Sequence, residues 1–349
     1  MDPKAIETLA VNAVRDSVVV SDFLDQFIAD NDKEPTWDGF VYIYSDKSKK
    51  KEKLKGRLPV QIKGTENDDF SKEEISFPVS TVDLNNYLCD GGAVFFVVYI
   101  GNNGASRQIY YAALPPIKLK IYLADAKEQK SKSIKLKKFP TDPNEKATIF
   151  LQCLEDCQKQ ASFADAPLLS LEELEHQGVL EGISIPVSTV GGTDPKTALL
   201  KNEVYIYAKV KGSAIPQPIE VIPQEMTTHE TLSAHVSIGD RLFYSTVNVF
   251  KSAMTTTTVF GESVSIKTSS NNETVKISYT RSDKLRTMIV DLDFWLSWIE
   301  AGSFQWNGFD FPFDKNTVFP DSKVNEEKSQ LKYAKKMVAL LDLLRCSKE

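Results

Sequence analysis

Histidine is scarce: the 349 residues hold three, at 176, 229 and 235, and none accompanies a Gly-x-Ser-x-Gly elbow, which argues against a serine hydrolase. No Gly-x-x-x-x-Gly-Lys-Ser/Thr loop and no Gly-x-Gly-x-x-Gly fingerprint occurs, so any nucleotide-driven step would require a partner such as an ATPase or sensor protein. No apolar run approaches bilayer length, and the start Met1-Asp2-Pro3-Lys4 leads into no signal-like stretch. The expectation is a soluble, unexported protein with no membrane partner. Cysteine is equally sparse, at 89, 153, 157 and 346, too few and too unevenly spaced for a disulfide framework, which fits reduced thiols in a cytoplasm. Cys153 and Cys157 are four apart in a predicted helix and could offer zinc two thiolates, with His176 the histidine nearest in sequence; packing as small hydrophobes is the alternative.

What is present is ordinary globular material, 42% hydrophobic and 26% charged, at a length that suggests two domains. The net charge of −6 is unevenly placed. Residues 1–142 carry 21 basic and 21 acidic side chains, whereas 143–349 carry 21 and 27. Within the balanced part lie two basic runs, Lys47 to Arg57 and Lys127 to Lys138, which either contact phosphates through a local field or form solvated loops.

Asp2 and Pro3 begin a predicted helix carrying Ile6, Leu9, Ala10, Ala13 and Val14, and a second helical stripe is read at Phe23, Leu24, Phe27 and Ile28, with a kink or break expected near Asp16 and Ser17 because Val18 to Val20 are β-branched. Short strands follow at 40–45, 58–63, 75–80, 93–100 and 108–114, with one helix at 82–88. The proline-bearing stretch Pro140 to Pro143 marks the expected boundary between domains 1–142 and 143–349. The second reads as α+β, rich in antiparallel strands, with an aromatic helix at 292–301 and a closing helix at 326–346. Its aromatic set, Phe294 to Phe313, reads as packing in preference to base stacking. Ile75 to Val82 and Ile183 to Val190 differ at one position, which either a duplication or a proline-marked edge strand used twice would explain.

Two segments carry chemistry. Trp37-Asp38-Gly39 places an acid at the lip of a strand, and Val60-Gln-Ile-Lys-Gly64 turns Gln61 and Lys63 to one face while Val60 and Ile62 turn to the other. Paired strands would join Asp38, Gln61 and Lys63: oxygen ligands for a hard cation, and an ammonium to balance charge developing on a phosphate.

Helix, acid, strand with x-x-Lys, strand, helix and strand is an order that resembles the PD-(D/E)xK nuclease superfamily over about the first 115 residues, nearest to Mrr-like variants with Gln-x-Lys and to bacterial Trp-Asp-Gly proteins linked to phage defence. The resemblance implies a restriction-endonuclease-like α/β domain of helix, mixed central sheet and helix. It also implies a metal-dependent DNA endonuclease using Mg2+ or Mn2+, with Asp38, Gln61 and Glu7 as ligands and Lys63 as the catalytic lysine. Lys49, Lys50, Lys51, Lys53 and Lys55 are the expected nucleic-acid contacts, flanking the cleft, and the second domain would serve recognition, control or homo-oligomer formation. Gln61 stands where the pattern usually has a carboxylate, which keeps open the alternative of a nuclease-like fold that only binds nucleic acid or protein.

Overall fold

The computed structural model describes residues 1–29, 36–223, 226–269, 274–312 and 321–344; Glu34, Pro35, Phe313 and Cys346 lie outside them. The chain divides into two compact units, Met1–Gln224 and Glu225–Glu349.

The first unit begins with α1 (Pro3–Val19), with proline at its first turn and Ala10, Val11, Val14 and Val18 buried along one face. Then come β1 (Leu24–Ile28), β2 (Gly39–Tyr44), β3 (Leu54–Glu66), β4 (Glu74–Ser80), α2 (Thr81–Cys89), β5 (Ala93–Gly101), β6 (Ser106–Leu114), α3 (Pro116–Ala126), β7 (Ser131–Lys138) and α4 (Pro143–Gln160). Seven strands form one mixed sheet in the order β1-β2-β3-β5-β6-β7-β4. Only β3 and β5 of this sheet pair in parallel, with Gln61 opposite Phe95 and Lys63 opposite Val97. β5 reads Ala-Val-Phe-Phe-Val-Val because both its faces are covered. Val94 and Phe96 pack with Val60, Ile62, α1 and α4, whereas Phe95 and Val97 pack with Leu84 and Tyr87 of α2 and Leu119 of α3.

Pro143 therefore starts a helix of the first unit and not a second domain. Sheet strands leave Val60, Phe96 and Ile43 to be covered on one face, and α4 supplies Phe150, Leu151 and Leu154 for it. A Cβ on Gly56 of β3 would sit 3.0 Å from Leu154 Cδ2, so the approach is close. The unit continues through α5 (Leu171–His176), β8 (Leu180–Ser184), α6 (Pro195–Lys201), β9 (Tyr207–Val210) and β10 (Gln217–Pro218), and β8 to β10 make a small antiparallel sheet. A buried polar network ties it to α4. Tyr207 donates its hydroxyl to Asp156 Oδ1 at 2.9 Å, and Gln152 Nε2 donates to Asp156 Oδ2 at 2.8 Å. Burial pushes the Asp156 carboxyl up to about 6 against the pull of these two bonds.

Two further expectations change. Phe23 to Ile28 gives a strand, because Leu24 and Ile28, four apart, fall on one face of a strand as readily as of a helix. The second lysine run becomes β7, with Ile134 and Leu136 buried between outward lysines. The repeated octapeptide takes two forms: Ile75 to Ser80 is the edge strand β4, whereas residues after Ser184 leave the strand and Ser188 bonds along α4, its N–H to Gln152 Oε1 at 2.7 Å.

At the other edge of the sheet, β1 turns alternate backbone groups outward, and side chains meet them. Arg15 Nε donates to the Ile28 carbonyl at 2.9 Å, Lys49 Nζ donates to the Leu24 carbonyl, and the Ile28 N–H donates to Gln26 Oε1 at 3.0 Å.

The second unit holds β11 (Thr228–Ile238), β12 (Arg241–Lys251), β13 (Thr255–Phe260), β14 (Val264–Ser269), β15 (Val275–Tyr279), α7 (Leu285–Ala301), β16 (Ser303–Trp306), β17 (Phe309–Pro312) and α8 (Asp321–Leu343). Its sheet is antiparallel throughout, ordered β15-β14-β13-β12-β11-β16-β17. Phe294, Trp295 and Trp298 of α7 form its core with Phe260 and Phe304, as their helical spacing implied. Among the described residues no helix is long and apolar enough to cross a membrane.

Candidate active site

Each residue of Trp-Asp-Gly has a separate mechanical part. Trp37 packs its ring 5.4 Å from that of Tyr87 on α2, and Asn86 Nδ2 donates to Thr36 Oγ1 at 3.2 Å, so the entry to β2 is held against α2. The Asp38 N–H donates to the Val60 carbonyl at 2.9 Å. Asp38 Oδ2 then accepts from the Ile62 N–H at 2.6 Å, taking the place of a backbone carbonyl as the ladder ends. Gly39 follows at φ 143°, where a Cβ would lie 2.1 Å from the Phe27 carbonyl oxygen and 2.7 Å from Ile28 Cα. Only glycine fits that approach of β1.

Gln61 Nε2 donates to the same Asp38 Oδ2 at 2.7 Å, and Gln61 is buried. The expected pair is thus in direct contact, with the amide's donor end toward the carboxylate. Lys63 lies two residues on along β3, on the same face, exposed, with no hydrogen bond or ion pair among the described residues. Glu7 is not brought to this face: it is exposed on α1, which packs against the Val60 and Ile62 side of the sheet. The helical flank of Glu7 was legible, but not which face of the sheet its helix would cover.

Tyr87 reports the electrostatics of the surroundings. Burial first, then the negative charges of Asp83 and Asp38, push its hydroxyl far above the usual range. Asp83 is a carboxylate that sequence reasoning passed over; its signal was Ser80-x-x-Asp83 at a helix start, where the Asp83 N–H donates to Ser80 Oγ at 3.0 Å. Among the described residues no three His, Cys, Asp or Glu side chains gather into a metal-binding group. Cys153 and Cys157 are buried in the core of the first unit, where they pack as small hydrophobes, and the hydrogen bond with Cys153 and burial raise the Cys157 thiol.

The first lysine run does not flank Asp38. It occupies the β2–β3 hairpin at the other end of β2, about 20 Å of extended chain away for six residues. There Lys47 pairs with Asp22 at 2.9 Å and Lys53 with Asp46 at 3.5 Å. Lys49 bonds to β1, while Lys50 and Lys51 are exposed with no ion pair among the described residues. Lys55 lines a shallow pocket with Leu154 and Glu155 of α4, on the opposite face of the sheet from Gln61. The second run, in β7, is separated from β3 by β5 and β6.

The chain matches no protein-family model, no curated protein and no solved structure.

Proposed function

We propose that the first unit is a PD-(D/E)xK-like nuclease domain that hydrolyses phosphodiester bonds of nucleic acid with a divalent cation, in the setting of bacterial defence. The second unit would serve recognition, self-association or control. One observation carries the reading: the Asp38 carboxylate and the Gln61 amide meet at 2.7 Å on the strand face that next presents Lys63.

The donor chemistry fits a hard cation shared with substrate. Mg2+ is commonly held by one or two carboxylates together with substrate phosphate oxygens, and a half-turn of the Gln61 amide replaces Nε2 by Oε1. Asp38 and Gln61 would hold the ion, which would supply Lewis-acid polarisation and a more acidic bound water. The Ile62 N–H orients the Asp38 carboxylate. The Lys63 ammonium donates to a phosphate oxygen and balances the charge that grows there.

A second reading, a binding module without hydrolysis, is favoured by the same bond seen from the other side: Gln61 already satisfies the carboxylate with a donor. Incubating the full chain with supercoiled plasmid or end-labelled RNA, in Mg2+, Mn2+ or chelator, decides between them. Nicking that needs the cation and is lost in Asp38→Asn and Lys63→Ala is the expected result. Binding of nucleic acid without any cation-dependent cleavage would overturn the nuclease reading and establish the module.

A further inference from the structure

On the face of the sheet that holds Gln61 and Lys63, α2 and α3 pack over β5, β6, β7 and β4, and Pro59 and Gln61 of β3 are buried there as well. Over β1, β2 and β3 it carries a different set of side chains. Cross-strand register puts Phe27 opposite Phe40 and Asp25 opposite Tyr42, and then Phe40 opposite Pro59 and Tyr42 opposite Arg57. Phe40, Tyr42 and Tyr44 alternate with the buried Val41 and Ile43, so all three point to this outer face. None of Phe27, Phe40, Tyr42 or Tyr44 belongs to a core cluster, and Phe27 is 66% exposed on a strand whose other face buries Leu24 and Ile28. Phe27 is exposed and Phe40, Tyr42 and Tyr44 are half-buried, an aromatic surface outside any core cluster that is costly to leave partly in water without a use.

The charge beside them is predominantly basic, with the Asp90 carboxylate near Arg57. The guanidinium of Arg57 lies 4.3 Å from the centre of the Phe40 ring. Beyond Tyr44 the hairpin continues, and residues 45–57 hold seven Lys or Arg against two acids. At the opposite end of β2 stands Asp38 with Gln61, and Lys63 is on the neighbouring strand. The acid facing the surface from β1 is Asp25, at the sheet margin.

We infer that this face is a track for single-stranded nucleic acid, running from the Lys50 and Lys51 hairpin over Tyr44, Tyr42 and Phe40 to Asp38. The inference rests on the nucleic-acid reading of that site and narrows it to unpaired strands. Rings two residues apart on a strand are spaced by about 6.6 Å, roughly twice the rise of stacked bases, so each uncovered ring takes one base drawn out of its stack, and at Phe40 the guanidinium of Arg57 presents the stacking face instead. Exposed bases stack on aromatic faces regardless of sequence, and the guanidinium over Phe40 is placed for both a phosphate and a base face. A duplex hides its bases and could use only the cations.

The test is fluorescence anisotropy of the full chain in chelator, so that nothing is cut, with labelled dT12, rU12 and a mixed-sequence 20-base-pair duplex. The expected result is single-strand affinity at least about tenfold above that for the duplex, with the two oligomers telling DNA from RNA as the natural strand. Phe27→Ala and Tyr42→Ala should each weaken single-strand binding about tenfold and leave duplex binding within about twofold. Phe27 is exposed enough that its loss cannot be blamed on misfolding, which circular dichroism checks. Lys50→Glu with Lys51→Glu should lower the slope of log affinity against log salt by about 1.4, two contacts at about 0.7 each. Duplex bound as tightly as single strands, or single-strand binding indifferent to Phe27→Ala and Tyr42→Ala, overturns the track while leaving a nucleic-acid site in place. Failure to bind any of the three overturns both.

Discussion

Gln61→Glu turns the contact at the heart of the site into a measurement. The new carboxylate would stand where Nε2 now lies 2.7 Å from Asp38 Oδ2, at a position only 6% exposed. Two full charges about 3 Å apart at an effective dielectric of 20 repel by about 5.5 kcal/mol. Protonating one of them at pH 7, from an ordinary glutamate value near 4.3, costs about 3.7 kcal/mol, so the folded chain takes the proton and keeps a donor toward Asp38. The pair's raised folded-state pKa lies above the unfolded value, so the deficit is absent below about pH 4, grows as pH rises, and reaches about 4 kcal/mol at pH 7. For a unit of this size that is a fall in melting temperature of about 8 to 16 °C. A divalent cation between the two carboxylates reverses it. Thermal denaturation of wild type and variant at pH 5 and 7, in chelator and in millimolar Mg2+, reads all of this at once. The variant should be destabilised at pH 7 in chelator, recover at pH 5, and recover at pH 7 with Mg2+, while wild type changes little. A variant as stable as wild type in chelator, or one that Mg2+ does not restore, would refute both the contact and its reading as a cation site.

Lys63→Ala should lower cleavage by about a hundredfold or more while moving the melting temperature by no more than about 2 °C, because an exposed lysine loses little packing; unchanged cleavage in the nicking assay removes Lys63 from the chemistry. Asp156 has its carboxyl raised from 3.8 to about 6, chiefly by burial, so its contribution to stability is full below about pH 4 and shrinks by about 3 kcal/mol as pH rises through 6. Asp156→Asn should flatten urea midpoints across that window, and an undiminished slope would mean that another group sets it. Gly39→Ala should cost more than about 3 kcal/mol, given the backbone contact at 2.1 Å, and a wild-type midpoint for this variant would show that β1 does not approach as described.

The pairing of Asp38 with Gln61 was legible because it depends on local signals: an Asp-Gly turn, an alternating strand, and the order of elements. What misled was anything set by a distant surface. Pro140 to Pro143 has the composition of a linker, yet Pro143 is the first residue of a helix, and only the uncovered Val60 and Phe96 face explains why that helix folds back. Glu7 has the right residue type on the right helix, but the side of the sheet that α1 covers is decided by where Val60 and Ile62 point. The lysine run looked like one patch; the bulge between Ile43 and Tyr44 and the partners of Lys47, Lys49 and Lys53 distribute it over an edge, a hairpin and the α4 side. The alternation Phe40-x-Tyr42-x-Tyr44 was in plain view, but not that these half-buried rings would belong to no core cluster.

The hydrogen bonds along β1 bear on how this protein behaves at high concentration. An edge strand with bare donors and acceptors is a template on which another chain can add a strand, and repeated addition leads to aggregates. Here Arg15 and Lys49 occupy carbonyls of that edge and Gln26 occupies an amide of its own strand, while Pro78 on the far edge strand, β4, has no N–H to offer. Polymerisation by β-addition is discouraged at one edge of the sheet by side chains of which two read, in the sequence, as solvent-exposed charge, and at the other by a proline. Removing Arg15 and Lys49 together would therefore be felt first in solubility and shelf life, before any change in what the protein binds.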